Sequence, residues 1–219
     1  MNDIEQILDL LIQSYDKGQS LYEALDSEMI KCLSYSNSID VRIWLARALA
    51  FSTSDISAVA VLQKLSQDKY PCVRVEAIDS LSGFANLDSF YSLCNASSDE
   101  NELVRAYSAF GIALVGKTVA SQNAMLVLSD MVKSERSSRV LVNIYEGLYI
   151  LGKTEMLLEL INLFASPDYH VQCAVVHALG ELLCNKTQEI IKHFIDGLNM
   201  SDYSHAVADA LEHLNARCV

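Results

Sequence analysis

This chain has little proline, little tryptophan and few positive charges, and each shortage removes a class of explanation. Only Pro71 and Pro167 interrupt 219 residues. Proline removes a backbone donor and breaks helix interiors, so nearly the whole chain is free to be helical. Sixteen Lys and Arg face 28 Asp and Glu, a formal net charge of −12. Half of that excess lies in residues 1–40, which hold eight acids and two bases. A surface so acidic repels a phosphate backbone, so nucleic acid is not expected as a partner. No apolar run approaches the roughly 18 to 20 residues that span a bilayer. No basic region precedes the apolar residues of MNDIEQILDLLIQ. Neither a membrane span nor a signal peptide is expected, and the expected location is cytoplasmic. The six cysteines (Cys32, Cys72, Cys94, Cys173, Cys184 and Cys218) contain no CxxC pair, which leaves reduced, packed thiols rather than a metal site. No glycine-rich phosphate loop and no GxSxG nucleophile turn is present, so no cofactor is expected.

What the chain does contain is a recurring phrase. A β-branched or aromatic residue is followed seven positions later by a small residue and eight later by an aliphatic one. The anchors are Val41, Val73, Val104, Val140, Val171 and Tyr203. The small residues are Ala48, Ser80, Gly111, Gly147, Ala178 and Ala210, and the aliphatic ones Leu49, Leu81, Ile112, Leu148, Leu179 and Leu211. Positions 0, +4, +7 and +8 share one side of a helix. A second amphipathic segment precedes each phrase, as in Ile56 to Leu65, Ala124 to Val132, Met156 to Phe164 and Ile190 to Leu198. A period near 31 residues with two helices inside it is the mark of a solenoid. Both prolines fall in the predicted turns between the two helices. Gly116 and Gly152 fall where helix C-caps belong. The wider spacing between Val104 and Val140 predicts a longer linker around Lys117 to Gln122. Ile4, Ile7, Leu8, Leu11, Ile12 and Tyr15 predict an N-terminal amphipathic helix that shields the first repeat.

Three anchors are followed by arginine, at Arg42, Arg74 and Arg105, with Asp40, Asp68 and Asp99 just upstream. Alanines and a leucine follow, as in Arg42 to Leu49. This pattern resembles the HEAT repeat family, and more closely the short bacterial HEAT-like repeats, over residues 20–215. The resemblance implies an all-α fold, an α-solenoid of about six HEAT-like helix pairs in a right-handed superhelix. It implies one domain spanning 1–219: a capping helix at 1–20, then repeats at about 21–52, 53–85, 86–117, 118–153, 154–185 and 186–219. In that family the Asp and Arg stitch consecutive repeats together. Leu141, Gln172 and Ser204 replace the arginine in repeats four to six, so the ladder is not expected to continue there.

In HEAT-type solenoids the second helix of each pair lines the concave face. At 100° per residue, positions +2, +6 and +9 lie opposite the core. The +6 row is Arg47, Asp79, Phe110, Glu146, His177 and Asp209, mostly charged and expected to be solvated. The +9 row includes Tyr149 and Glu212. The +2 row (Ile43, Val75, Ala106, Val142, Cys173 and His205) is apolar. It reads either as a strip for a partner or as residues buried between helices. Trp44, the lone tryptophan, sits at +3, at the edge of the face. The candidate partner-binding residues are therefore Arg47, Asp79, Phe110, Glu146, Tyr149, His177, Asp209 and Glu212.

HEAT-like hydroxylases that act on a modified lysine carry His-Glu dipeptides, and this chain has none. HEAT-like DNA glycosylases need a basic cleft for their flipped base, where this face is acidic. HEAT-like lyases and chaperones of bilin pigments share the short repeats, and Tyr145, Tyr149 and His177 are the residues that would line a pigment pocket. The expected function is a non-catalytic scaffold, not an enzyme, that captures a basic protein partner on its concave face. An immunity or antitoxin protein that occludes a basic nuclease toxin is one concrete form. The bilin lyase is the enzyme-class alternative, with the glycosylase behind it.

Overall fold

The computed structural model describes residues 3–218. Among them are thirteen α-helices, three short 3₁₀ turns and no strand. The chain is an all-α solenoid. The helix α1 (Asp3–Asp16) comes first, followed by six pairs: α2 (Ser27–Leu33) with α3 (Ile39–Leu49), α4 (Ile56–Leu65) with α5 (Pro71–Leu81), α6 (Leu87–Ala96) with α7 (Glu102–Val119), α8 (Ser121–Ser134) with α9 (Ser138–Ile150), α10 (Met156–Asn162) with α11 (Tyr169–Glu181), and α12 (Gln188–Asp196) with α13 (His205–Arg217). The second helices pack in series, α3 on α5, α5 on α7, α7 on α9, α9 on α11 and α11 on α13.

Helix starts are set locally. Asp26, Ser38, Asp55, Asn86, Asn101, Asp168 and Ser204 each accept a hydrogen bond from a backbone N–H in the first turn of the helix they precede. Such caps satisfy donors that the helix itself leaves unpaired. Pro71 is the first residue of α5, where its missing N–H costs nothing. Gly18 (φ 60°) and Gly152 (φ 105°) supply the left-handed residues that end α1 and α9.

The phrase predicts the core in five of its six occurrences. Its anchor, small and aliphatic residues in α3, α5, α7, α9 and α11 are all buried. The sixth is set one turn too early. Tyr203 ends a 3₁₀ turn and stacks on Phe164 with ring centroids 5.1 Å apart. Ala210 is only half-buried, and Val207, Leu211, Leu214 and Cys218 form the buried stripe of α13. Leu211 belongs to both the phrase from Tyr203 and the observed stripe, so the same side of the helix still turns inward although the phrase starts a turn early. The linker expected at Lys117 to Gln122 does not exist, because α7 runs on to Val119 and α8 begins at Ser121. Gly116 is no cap. It lies inside α7 where Ala124 and Phe90 press against the backbone, so a Cβ would collide with Ala124.

The arginine ladder is longer than the sequence predicts. Arg42 pairs with Asp68 (2.6 Å), Arg74 with Asp99 (2.8 Å) and Arg105 with Glu135 (2.8 Å). Each guanidinium also donates to the carbonyl six residues back: Ser36, Asp68 and Asp99. In the fourth pair Arg139, one position before the anchor, reaches Asp168 at 3.0 Å. In the fifth, Gln172 donates to the Ser166 carbonyl at 2.9 Å, so an amide replaces the guanidinium as the clasp of the preceding turn. These clasps hold turn to helix and helix to next repeat, which fixes the register of the second-helix face.

The core itself is not continuous. One cluster runs from Leu11 to Leu148 and a second from Val142 to Cys218. The two meet along α9, where Val140, Ile144 and Leu148 face one cluster and Val142 the other.

Candidate functional site

The second-helix face is hollowed where it crosses that seam. A cavity of about 540 Å³ is lined from α5 to α11, by Asp79, Leu103, Ala106, Tyr107, Phe110, Arg139, Val142, Asn143, Glu146, His170, Ala174 and His177. Relative to the anchors these are rows −1, +2, +3 and +6. The open face is thus turned by roughly 45° from the position diametrically opposite the core. The +2 and +6 rows belong to it, while +9 does not: Ala113 and Gly180 are buried in helix contacts there. The +3 row, read from the sequence only through Trp44, continues as Glu76, Tyr107, Asn143 and Ala174.

Four of the eight residues chosen from the sequence meet in this groove: Asp79, Phe110, Glu146 and His177. The other four do not line it. Arg47 is bound to Glu76 across the same face at 2.5 Å and stacks over Trp44, its guanidinium carbon 4.9 Å from the ring. Tyr149 is half-buried against the C-terminal core cluster. Asp209 lies beside His205, 3.4 Å away, on the exposed side of α13, and Glu212 is exposed on the same helix. The cavity ends at α11, so neither residue of α13 reaches it. The groove residues missed from the sequence are Leu103, Tyr107, Arg139, Asn143, His170 and Ala174. Their −1 and +3 rows become visible only once the tilt of the face is known.

Glu146 departs most from expectation. A solvated carboxylate was predicted, and the residue is 4% exposed. Its Oε1 is buried without a hydrogen-bond partner. The next residue explains its depth. At Gly147, α9 lies so close to α7 and α8 that a Cβ would stand 2.9 Å from Ala113 Cβ on the one and from Leu128 Cδ1 on the other. That close approach draws the neighbouring +6 side chain below the surface. Burial, reinforced by the Glu181 carboxylate, pushes the Glu146 carboxyl up to about 7. Asp79 is shifted upward too, by desolvation and by Glu76, with Arg47 opposing. The Tyr107 phenol is raised by burial and then by Asp79 and Glu76.

The groove's own cation is committed elsewhere, since Arg139 faces Asp168 at 3.0 Å and Glu102 at 3.5 Å. The result is a groove with aromatic walls, Tyr107 and Phe110, lined by Asp79 and by a buried Glu146 carboxyl raised to about 7. Among the described residues no group of three or more His, Cys, Asp or Glu is arranged to hold a metal ion, and no helix is long and apolar enough to cross a membrane.

No family model and no curated protein matches the chain. Among solved structures it is similar to the complex of CpcE and CpcF of phycocyanin lyase from Nostoc sp. PCC7120, at 15% identity, with 89% of this chain and 95% of that chain covered and a TM-score of 0.47. That structure is of a lyase, and it stands against the expectation that the chain is no enzyme; the expectation is withdrawn. The likeness itself assigns no activity.

Proposed function

We propose that this chain is a HEAT-like repeat protein that captures a segment of a basic protein partner in the groove of its second-helix face. The observation that carries the reading is the convergence of four successive second helices on one aromatic-walled hollow. Carboxylates around a concave site steer a basic partner and set its register. Tyr107 and Phe110 supply rigid contact area of the kind that dominates interface energies. Stoichiometric inhibition of a basic toxin is one such partnership. The test is photo-crosslinking from a benzophenone side chain placed at Tyr107, compared with one at Leu126, which is 65% exposed on a first helix. The proposal expects one protein joined at Tyr107 and not at Leu126, and lost when Ala174→Trp fills the groove. Equal crosslinking at both positions sinks it.

A second reading is catalysis on a protein-borne pigment, of the bilin lyase kind. The groove favours it through one feature: Glu146, whose carboxyl burial raises to about 7, lines the same hollow as His170 and His177. Incubation with a free bilin separates the two readings. Visible colour taken up by the chain, and lost in Ala174→Trp, supports the pigment; a colourless chain removes it.

A further inference from the structure

The groove is built around a carboxyl whose Oε1 has no hydrogen-bond partner among the described residues. From the geometry we infer that it seats one guanidinium, the end of an arginine side chain of the partner, on Glu146, with Asp79 adding negative charge at the rim. The inference rests on the reading of the groove as a protein-capture site and names the chemistry it captures.

Three observations carry it. Glu146 is almost fully buried, lines the cavity and leaves Oε1 unpartnered. Buried polar groups are nearly always hydrogen-bonded, so each exception asks for an account. The charged and titratable groups around it are, from α5, Asp79; from α7, Tyr107; on α9 itself, Arg139; and from α11, His170, His177 and Glu181. The permanent cation among them, Arg139, is held by Asp168 and Glu102, so the carboxyls face a cavity without a free positive charge. An anionic ligand would meet Glu146, Asp79 and Glu181. An apolar one would leave Glu146 as unsatisfied as before. Among cations, the guanidinium fits the walls: it is planar, weakly hydrated and stacks on aromatic faces such as Tyr107 and Phe110. It also offers parallel donors that match a carboxylate.

A seated cation favours the carboxylate over the acid. Below about pH 7 binding therefore releases the proton that Glu146 holds in the empty groove, and its titration midpoint falls from about 7.

The experiment uses the full chain and two blocked tripeptides, Gly-Arg-Gly and Gly-citrulline-Gly, which differ in charge and hardly in shape. Affinity is measured by NMR titration, with the side-chain carbon of Glu146 as the reporter of its ionisation. The arginine peptide is expected to bind about tenfold more tightly than the citrulline peptide at about pH 7.5, and to lower the Glu146 midpoint by about one unit or more. Asp79→Asn should weaken the arginine peptide several-fold. Glu146→Gln, which removes an ionisable group from a buried site and folds without it, should erase the preference. Equal affinities, no binding of either peptide, an unmoved midpoint, or a preference that survives Glu146→Gln would each overturn the arginine seat. Any of these beside intact crosslinking at Tyr107 overturns the seat alone. Loss of specific crosslinking at Tyr107 overturns the wider reading.

Discussion

Glu146 should make this protein less stable as pH rises through neutrality. Its carboxyl titrates at about 7 in the folded chain, against an ordinary value of 4.5. Between those values the folded state binds more protons than the unfolded state. The contribution of this group is therefore fully present below the unfolded value and is lost as pH rises through the folded one. The whole shift corresponds to about 3 kcal/mol, of which roughly 2.5 kcal/mol falls between about pH 5 and pH 8. Glu146→Gln keeps the shape and cannot ionise. Relative to wild type, the variant should gain that 2.5 kcal/mol across the interval, a growing separation of about 5–10 °C in Tm for a chain of this size. Thermal melts followed by far-ultraviolet circular dichroism at several pH values provide the assay. Every other titrating group is common to both proteins, so the difference isolates Glu146. A difference that stays constant with pH, or that shrinks on the alkaline side, would refute the buried, unpartnered carboxyl.

Glu135 should behave in the opposite sense. Its hydrogen bond from Arg105, followed by those from Ser137 and Arg136, holds it down to about 2. Its contribution, about 3 kcal/mol, is present above the unfolded value of 4.5 and is lost as pH falls toward 2; acid denaturation of Glu135→Gln should show a correspondingly flatter slope. Arg74→Ala removes the bidentate partner of Asp99 and the donor to the Asp68 carbonyl. Leaving the half-buried Asp99 carboxylate with only the Asn101 N–H as partner should cost about 1.5–3 kcal/mol in urea denaturation, and a loss under about 0.5 kcal/mol would mean the ladder is ornamental in solution. Gly147→Val places carbon where 2.9 Å contacts to Ala113 and Leu128 already stand; overpacking of this kind costs about 1–3 kcal/mol, and an unchanged Tm would contradict the close approach of α7 and α9.

Helix periodicity and spacing were enough for the solenoid, because the first five second helices share a buried stripe at 0, +4, +7 and +8 and a side-chain clasp, at +1 in four of them and at −1 in α9. The rule failed where local signals mislead. In α13 the phrase fits only from Tyr203, which precedes the helix, while the buried stripe is Val207, Leu211, Leu214 and Cys218, a spacing with no small residue at +7 for the phrase to find. The missing linker has a similar origin, since extra residues lengthen a helix as readily as a loop and nothing between Lys117 and Ala120 stops α7 earlier. Gln172 shows why the ladder was under-read: its role depends on reaching the Ser166 carbonyl, which an amide does as well as a guanidinium.

The sequence by itself determined that this is a repeated helix pair, which side of most helices turns inward, and that the opposite side is acidic. Those properties depend on spacing and composition along one helix. Only the tertiary structure decided the tilt of the open face, which brings Tyr107 and His170 into the groove and leaves Tyr149 out. Only it decided that Glu146 is buried and alone. Both follow from how closely neighbouring helices approach at Gly147 and Ala113, a distance set between repeats and written in no single one of them.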